Sequence, residues 1–415
     1  MGIICRKILK EVVIFHHLFF TMNMRKAIRF LVIVALSVTH LHVMANIVEE
    51  GDSSHFITAS LLTASPADAV YSSFGHSVIR MQCPSEKLDY CFTFEIDITG
   101  EKLAEYFTGN AKAALVGVET PEFLSVYGAE GRGVVERELN LSLHEKQLLW
   151  KNLDTELMKP PHLSFNFLTS NCVTATLLTI ENSLISEHIE WGKLPAILNQ
   201  NNGDVIRYNC SNKWYEFLFM TFFGAASDGH LPTEMKLSPT MLADALNSAT
   251  IVGDSIPNRP VFTGAPHTLL PIKITPTPSP VTPAMTFGIL LCLVIFITIM
   301  EWFCGWNKLA KITDILLLVV QTIAGLVLAY TSIVANIFGT HWNWYLIPAN
   351  PLPAILWIIF HKNRHFYKIY LIYFTILVLF ICMTPFLSQL DYEHQYITAA
   401  FAVRCASLYL KGKKK

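Results

Sequence analysis

The sequence predicts an α+β domain followed by an all-α membrane region of five helices. Three observations lead there. Strand-like and helix-like patterns mix between residues 46 and 255, a Pro-rich stretch occupies 256–283, and long apolar stretches recur over 284–410. Hydrophobic residues form 52% of the 415-residue chain and charged ones 15%, against roughly a quarter charged in soluble domains. The charge is partitioned as well. Residues 1–45 carry six Lys or Arg and one acid, 46–280 carry 15 bases and 27 acids, and 281–415 carry 10 bases and four acids. The acidic central block is a poor nucleic-acid binder, because such binding needs a basic surface.

The segment MNMRKAIRFLVIVALSVTHLHVMA, residues 22–45, has a basic start, an apolar centre and a Val-Met-Ala end. It reads as a secretory signal cleaved after Ala45, with translation starting at Met22 or Met24. The competing reading is an uncleaved anchor. No cysteine follows the cleavage point, so the chain is not expected to be a lipoprotein itself.

Within 46–255, AVYSSFGHSVIRM reads as a loop entering a strand, because from His76 the residues alternate with period two. LDYCFTFEIDI reads as its hairpin partner around CPSEK. NLSLHEKQLLWKNLDTEL reads as an amphipathic helix capped by Ser142, with Glu145 three residues on. LTSNCVTATLLTIENSLI reads as a turn and then a helix, capped by Ser170 or Asn171, with Cys172 in its first turn. Nine cysteines are present without C-x-x-C spacing. Cys83 and Cys91 flank the hairpin turn, and either a disulfide or two buried thiols fits that placement.

Eight prolines fall in 256–283, including TPTPSPVTP. That density predicts a semi-extended linker. Beyond it Met285–Phe303, Ile312–Ala335, Pro351–Phe360 with its flanks, Tyr367–Phe386 and Gln395–Leu410 are apolar, and most approach the ~20 residues that cross a bilayer as helix. The third is the shortest. With the acidic domain outside, Lys308, Lys311, Lys362, Arg364 and the KGKKK tail at 411–415 fall inside, while the loops 336–350 and 387–394 carry no Lys or Arg. This is the positive-inside distribution. It predicts five spans in the inner membrane, a cytoplasmic C-terminus and a large periplasmic domain. The outer loop FGTHWNWYLIPANPLP places His341, Asn343 and Asn350 on the side of that domain.

Cys172 at a helix start is chemically pointed. A thiol attacks as thiolate, and helix N-termini favour the thiolate through unpaired N–H groups and the dipole. The same groups stabilise an oxyanion. A neutral histidine on an adjacent strand, His76, would take the proton. Glu95 or Asp97 on the next strand would orient the imidazole. A cysteine on a helix start against a histidine on a sheet is the papain-like arrangement, here permuted (NlpC/P60-like) with His first. The alternative is a core histidine and a structural thiol.

SSFGHSVIR, EGRGVVERELNLS and NFLTSNCVT, followed by FFGAASDGHLPTEMKLSP, resemble the periplasmic domain of the Bacteroidetes Lnb family. The five apolar stretches with HWNWYLIPANPL resemble its membrane region, so the likeness spans roughly residues 55–410. It implies lipoprotein N-acylation: an acyl chain passes from a phospholipid donor to the α-amine of a diacylated lipoprotein acceptor at the membrane. His76 and Cys172 match the family histidine and cysteine, and Asn171 and Thr174 match their neighbours. Arg80 and Arg132 match arginines able to hold a phosphate, and Asp228 and Glu234 fall in the matching later segment. Two departures stand out. Tyr90, Cys91 and Phe92 stand where Asn-Tyr-Gly is expected, which leaves the third triad member open, and Ala175 replaces an arginine. The candidate set is Cys172, His76 and Glu95 for catalysis, with Ser73, Arg80, Arg132, Asn171, Thr174, His341, Asn343 and Asn350 for substrate binding. No metal or diffusible cofactor is implied. A cell-wall peptidase or amidase, and a non-catalytic membrane receptor or assembly factor, are the alternatives.

Overall fold

The computed structural model describes residues 57–96, 105, 108–194, 196–210, 213–229, 238–253, 257–275, 277–387 and 389–414. The expected signal segment, Asp97 and Glu234 lie outside them. The strands are β1 (Thr58–Ala64), β2 (His76–Cys83), β3 (Leu88–Ile96), β4 (Lys112–Glu119), β5 (Val134–Leu139), β6 (Leu163–Ser164), β7 (Glu187–Glu190), β8 (Thr250–Gly253), β9 (Arg259–Pro260) and β10 (Phe262–Leu270). Seven make one antiparallel sheet in the order β10-β5-β1-β2-β3-β4-β6, and β7, β8 and β9 make a small second one.

Both faces of the large sheet are covered, so its central strands are apolar on both sides. Helices α1 (Thr120–Ala129), α2 (Leu143–Leu157), α3 (Cys172–Glu181), α4 (Asn202–Asn209), α5 (Lys213–Phe223) and α6 (Pro239–Asn247) accompany it. Phe123 of α1 packs with Leu62, Val78, Cys91 and Val134 on one face. On the other, Leu61, Ile79 and Met81 meet Leu149 and Leu153 of α2, Leu177 and Ile180 of α3, and Leu242 and Leu246 of α6. Ser142 caps α2 as its sequence predicts: its Oγ accepts from the Glu145 N–H, and Glu145 Oε2 accepts from the Ser142 N–H at 2.7 Å.

One open choice closes and one expectation changes. Cys83 and Cys91 are buried free thiols, the second of the two readings the sequence allows. In the hairpin register Cys83 pairs with Leu88 and Cys91 with Arg80, three positions apart and so on opposite faces. The Pro-rich stretch is only partly a linker. Its first half forms β9 and β10, and β10 is an edge strand on β5. Pro266 falls at the register shift between Thr263 and His267, where an edge strand tolerates a residue without an N–H. Arg259 of β9 bonds Glu145 at 2.7 Å, Glu187 at 2.8 Å and the Asn140 carbonyl at 2.9 Å, tying the small sheet to the start of α2.

Five helices follow: α7 (Pro283–Cys304), α8 (Asn307–Ile333), α9 (Leu352–Phe360), α10 (Tyr367–Met383) and α11 (Tyr392–Lys414). Among the described residues three helical segments are long and apolar enough to cross a membrane: α7, α8, and α10 with its continuation to Phe386. The 9-residue α9 is too short alone, and the 23-residue α11 carries Glu393, Arg404 and its terminal lysines. The basic C-terminal residues expected as a tail continue α11 to Lys414. Arg404 bonds Asp314 of α8 at 2.6 Å and Glu301 of α7 at 2.9 Å, and Lys411 meets Glu301 at 2.7 Å. These charges cancel locally, as buried charges must, and join α11 to both neighbours. Before α9 the backbone is non-helical at Pro348, whose carbonyl accepts from Gln321 Nε2 and from the Tyr373 hydroxyl, each at 2.7 Å.

The α+β domain sits on the outer ends of these helices through α5. Trp214 Nε1 donates to the Val281 carbonyl at 2.7 Å, and Asn343 Nδ2 donates to the Thr221 carbonyl at 2.7 Å. Arg207 pairs with Asp391 at 2.9 Å. His394 Nδ1 accepts from the Asp391 N–H, which leaves Nε2 to donate to Thr221 Oγ1 at 2.8 Å. Both loops whose sequence lacks Lys and Arg therefore touch the domain.

Arg259→Met leaves the carboxylates of Glu145 and Glu187, about 2% and 1% exposed, buried without their cation. Thermal denaturation of the detergent-solubilised chain should show a loss of about 3–5 kcal/mol, the scale for breaking a buried pair from one side. An unchanged midpoint would show that β9 is dispensable.

Candidate active site

The pairing of β2 with β3 runs from Cys83↔Leu88 to Ile79↔Phe92 and stops there, while β2 stays paired to β1 as far as His76 and β3 to β4 as far as Ile96. The two strands thus part beyond Ile79. On the β2 side of the opening the Ser77 N–H bears on the Cys172 sulfur and favours its thiolate. Cys172 opens α3, whose first N–H groups act on the sulfur in the same sense. On the β3 side Thr93, buried, places its hydroxyl against His76 Nε2. The opening therefore holds a thiol, an imidazole one residue from Ser77, and a hydroxyl that fixes the far ring nitrogen.

Local sequence explains each placement. Gly75, just before His76, has φ +88°, and a Cβ there would lie 2.6 Å from the Ala64 carbonyl oxygen. Only glycine lets the chain turn into β2 at that point. Asn171 caps α3: its Oδ1 accepts from Val173 at 2.9 Å and from Thr174 at 3.2 Å, while Thr174 Oγ1 accepts from the Asn171 N–H at 2.9 Å. Phe74 and Phe167, from the loops bearing His76 and Cys172, meet at 5.0 Å between centroids, and both contact Phe219 of α5.

Two family models match the chain: the Lnb N-terminal periplasmic domain over residues 50–200 and the Lnb transmembrane domain over residues 275–415. The chain belongs to the Lnb family. It is a membrane protein with a periplasmic N-terminal domain and apolar helices behind it. No curated protein and no solved structure matches it.

Not every expected residue of this Lnb chain comes to the opening. Cys172 and His76 do. Glu95 lies at the opening, but Thr93, two residues before it on the same face of β3, is the one that touches His76. Arg80 is occupied, bonded to both carboxylate oxygens of Asp89 at 2.8 and 2.7 Å and to Glu136 at 3.0 Å. Ser73 donates to the Val70 carbonyl at 2.8 Å and shapes the turn before Phe74. Asn171 and Thr174 build the helix cap. His341 bonds the Ser332 carbonyl at 2.9 Å, Asn343 fixes the loop to α5, and Asn350 bonds the Ile347 carbonyl at 2.8 Å. These three shape the membrane-side loop. Arg132 remains: it is buried, its Nε donates to the Ser65 carbonyl at 2.8 Å, and its Nη2 has no hydrogen-bond partner. Its guanidinium stacks 4.5 Å over the Tyr127 ring. Ser77 and Thr93 went unnoticed in the sequence, since a serine and a threonine within strands carry no pattern signal.

Electrostatics make the resting pair neutral. Burial, and then the Arg132 charge, lower His76 to about 4. Burial pushes the Cys172 thiol up, opposed by its backbone N–H donors and by Arg132. A buried site without a compensating charge disfavours both ions. With the other cysteines replaced, iodoacetamide alkylation of Cys172 should keep accelerating past the ordinary thiol value of 9.0. A plateau at or below about pH 7, where activated thiols titrate, would reveal a resting ion pair and contradict this electrostatic account.

Proposed function

We propose that this protein is a cysteine-dependent lipoprotein N-acyltransferase of the inner membrane. The observation that carries the reading is the opening between β2 and β3, which gathers the Cys172 thiol, helix N–H groups and a neutral imidazole on a domain seated on membrane helices. His76, its Nε2–H held by Thr93, takes the thiol proton at Nδ1 as sulfur attacks a phospholipid acyl ester. The oxyanion meets the first N–H groups of α3. The tetrahedral intermediate collapses, the C–O bond to glycerol breaks, and His76 returns the proton to the glycerol oxygen. A lysophospholipid leaves and a thioester stays on Cys172. The acceptor's α-amine then attacks, the C–S bond breaks, and an amide forms. The unpaired Nη2 of Arg132 suits the donor's phosphate. A permuted papain-like core fits this order of elements.

The membrane supports a lipid substrate rather than a cell-wall peptide. Tyr71, at 75% exposure in the turn leading to His76, and Trp342, at 86% on the membrane-side loop, offer apolar surface at the lipid level. Five spans fit as well. Residues 344–360 complete the third crossing, with the Pro348 carbonyl satisfied by Gln321 and Tyr373, as a non-helical break at that depth requires. α11 runs from its contact with the domain at Asp391 to the inner lysines.

Purified protein given phospholipid without acceptor should gain a lipid-sized, hydroxylamine-sensitive mass on the Cys172 peptide. Cys172→Ala should lose it, while Cys210→Ser, a change in a buried thiol, should keep it. His76→Ala should slow its formation by about 10²-fold or more, the scale for losing a general base. Thr93→Val should slow it roughly 10- to 100-fold, since a misplaced reacting group costs on that order. No adduct, together with Cys172-dependent cleavage of muropeptides, would replace this function with a peptidase.

A further inference from the structure

We propose that Glu95 is the residue that receives the acceptor's α-ammonium group and takes its proton before transfer. This inference rests on the acyl-transfer reading and supplies a step that reading leaves open. An α-amine titrates near ~7.7–8.0, so at neutral pH most of it is protonated and not nucleophilic. His76 has only Nδ1 to offer, because Thr93 holds Nε2, and that nitrogen must return a proton to the departing sulfur. A second base beside the thioester would carry the ammonium's proton.

Glu95 is placed for it. Thr93 and Glu95 lie two residues apart on β3 and share a face, and Thr93 touches His76. Beyond Phe92 no β2 pairing covers this edge of β3, so Glu95 lines the same opening as His76 and the Cys172 sulfur. On the β4 side its neighbour is Ala114, which fills little space. Glu95 is half-buried, and its carboxylate has no hydrogen-bond or ion-pair partner among the described residues. The other titratable groups at this end of the sheet are His76 on β2, Cys172 on α3, Tyr127 on α1, and Arg132 and Glu130 ahead of β5. The bonds of Arg132 go to Ser65 and Glu130 and its guanidinium lies over the Tyr127 ring; none goes to Glu95. Burial raises its carboxyl above the usual carboxylate range, bringing its proton affinity nearer to that of an amine.

The protons balance. The ammonium gives one proton to the Glu95 carboxylate, and the free amine attacks the thioester carbonyl. The C–N bond forms, and the second N–H proton passes to His76. As the C–S bond breaks, His76 delivers that proton to the departing sulfur and restores the thiol. Glu95 releases its proton to water, so each transfer frees one proton.

The test uses full-length protein in lipid, a phospholipid donor, and a diacylglyceryl-cysteine peptide as acceptor. Glu95→Gln should form the Cys172 adduct at the wild-type rate yet transfer it to the peptide about 10²-fold more slowly at neutral pH. Raising the pH through the amine's own titration should recover transfer in the variant, while the wild type changes little. Glu95→Asp should restore part of the neutral-pH rate. An adduct followed by wild-type transfer in Glu95→Gln would overturn this proposal alone. Equal loss of adduct formation and transfer would make Glu95 a support for His76 and would also overturn it. If the wild-type protein forms no adduct, the acyl-transfer reading falls and this inference with it.

Discussion

The end of the β2–β3 ladder is the pivot of this molecule: there the Ser77 N–H bears on the Cys172 sulfur and favours its thiolate. A backbone donor in the middle of a sheet normally bonds a neighbouring strand, and leaving one unpaired in the interior is costly. Here the β2–β3 ladder ends at Ile79↔Phe92, and the Ser77 N–H bears on a sulfur from another element. α3 packs against β2 and β3, and His76 is the adjacent residue on β2. The neutral resting state follows from the same enclosure, because the atoms that bring the groups together also exclude water from them. Arg132 lends a fixed positive charge at the edge of this enclosure, lowering His76 and opposing the upward push on Cys172.

A second constraint sets where this opening sits. Phe74 precedes His76 by two residues and Phe167 precedes Cys172 by five, and both rings pack on Phe219. Phe167 also stacks with Phe223 at 5.4 Å. The helix that carries these partners is the one that Asn343 and His394 hold to the membrane-side loops, and Asp391 ties the preceding helix α4 to the same region through Arg207. One aromatic layer therefore connects the two reactive loops to the bilayer-facing part of the chain. Rings suit this duty, since they bury large areas with few rotatable bonds. The lipid donor and lipid-anchored acceptor of the proposed function would reach such a site without leaving the membrane surface.

Much of this was legible in the sequence, and the parts that were not have physical reasons. The hairpin around CPSEK, the Ser142–Glu145 cap and the Asn171-capped start of α3 depend on neighbours a few residues apart, so local patterns reveal them. The division at the Pro-rich segment was visible too. Its first half is strand instead of linker, because prolines exclude central strands but not edges and bulges, and β10 is an edge. Thr93 was missed for a different reason. Its meeting with His76 depends on where two strands part company, which no single-strand pattern encodes. Arg80 illustrates the converse. A basic residue in a matching motif invites an anion, yet Asp89 across the hairpin and Glu136 on β5 already saturate it. Arg132 kept an unpaired nitrogen only because its own surroundings supply too few acceptors.

The account makes one claim above the others: that Cys172 carries an acyl group to a lipoprotein amine. Its most direct test is the mass of a native lipoprotein's N-terminal lipopeptide from cells holding either the wild-type protein or Cys172→Ala at equal membrane abundance. The account predicts an additional amide-linked acyl chain in the first and its absence in the second. An N-acylated lipopeptide of unchanged mass in Cys172→Ala cells would contradict it.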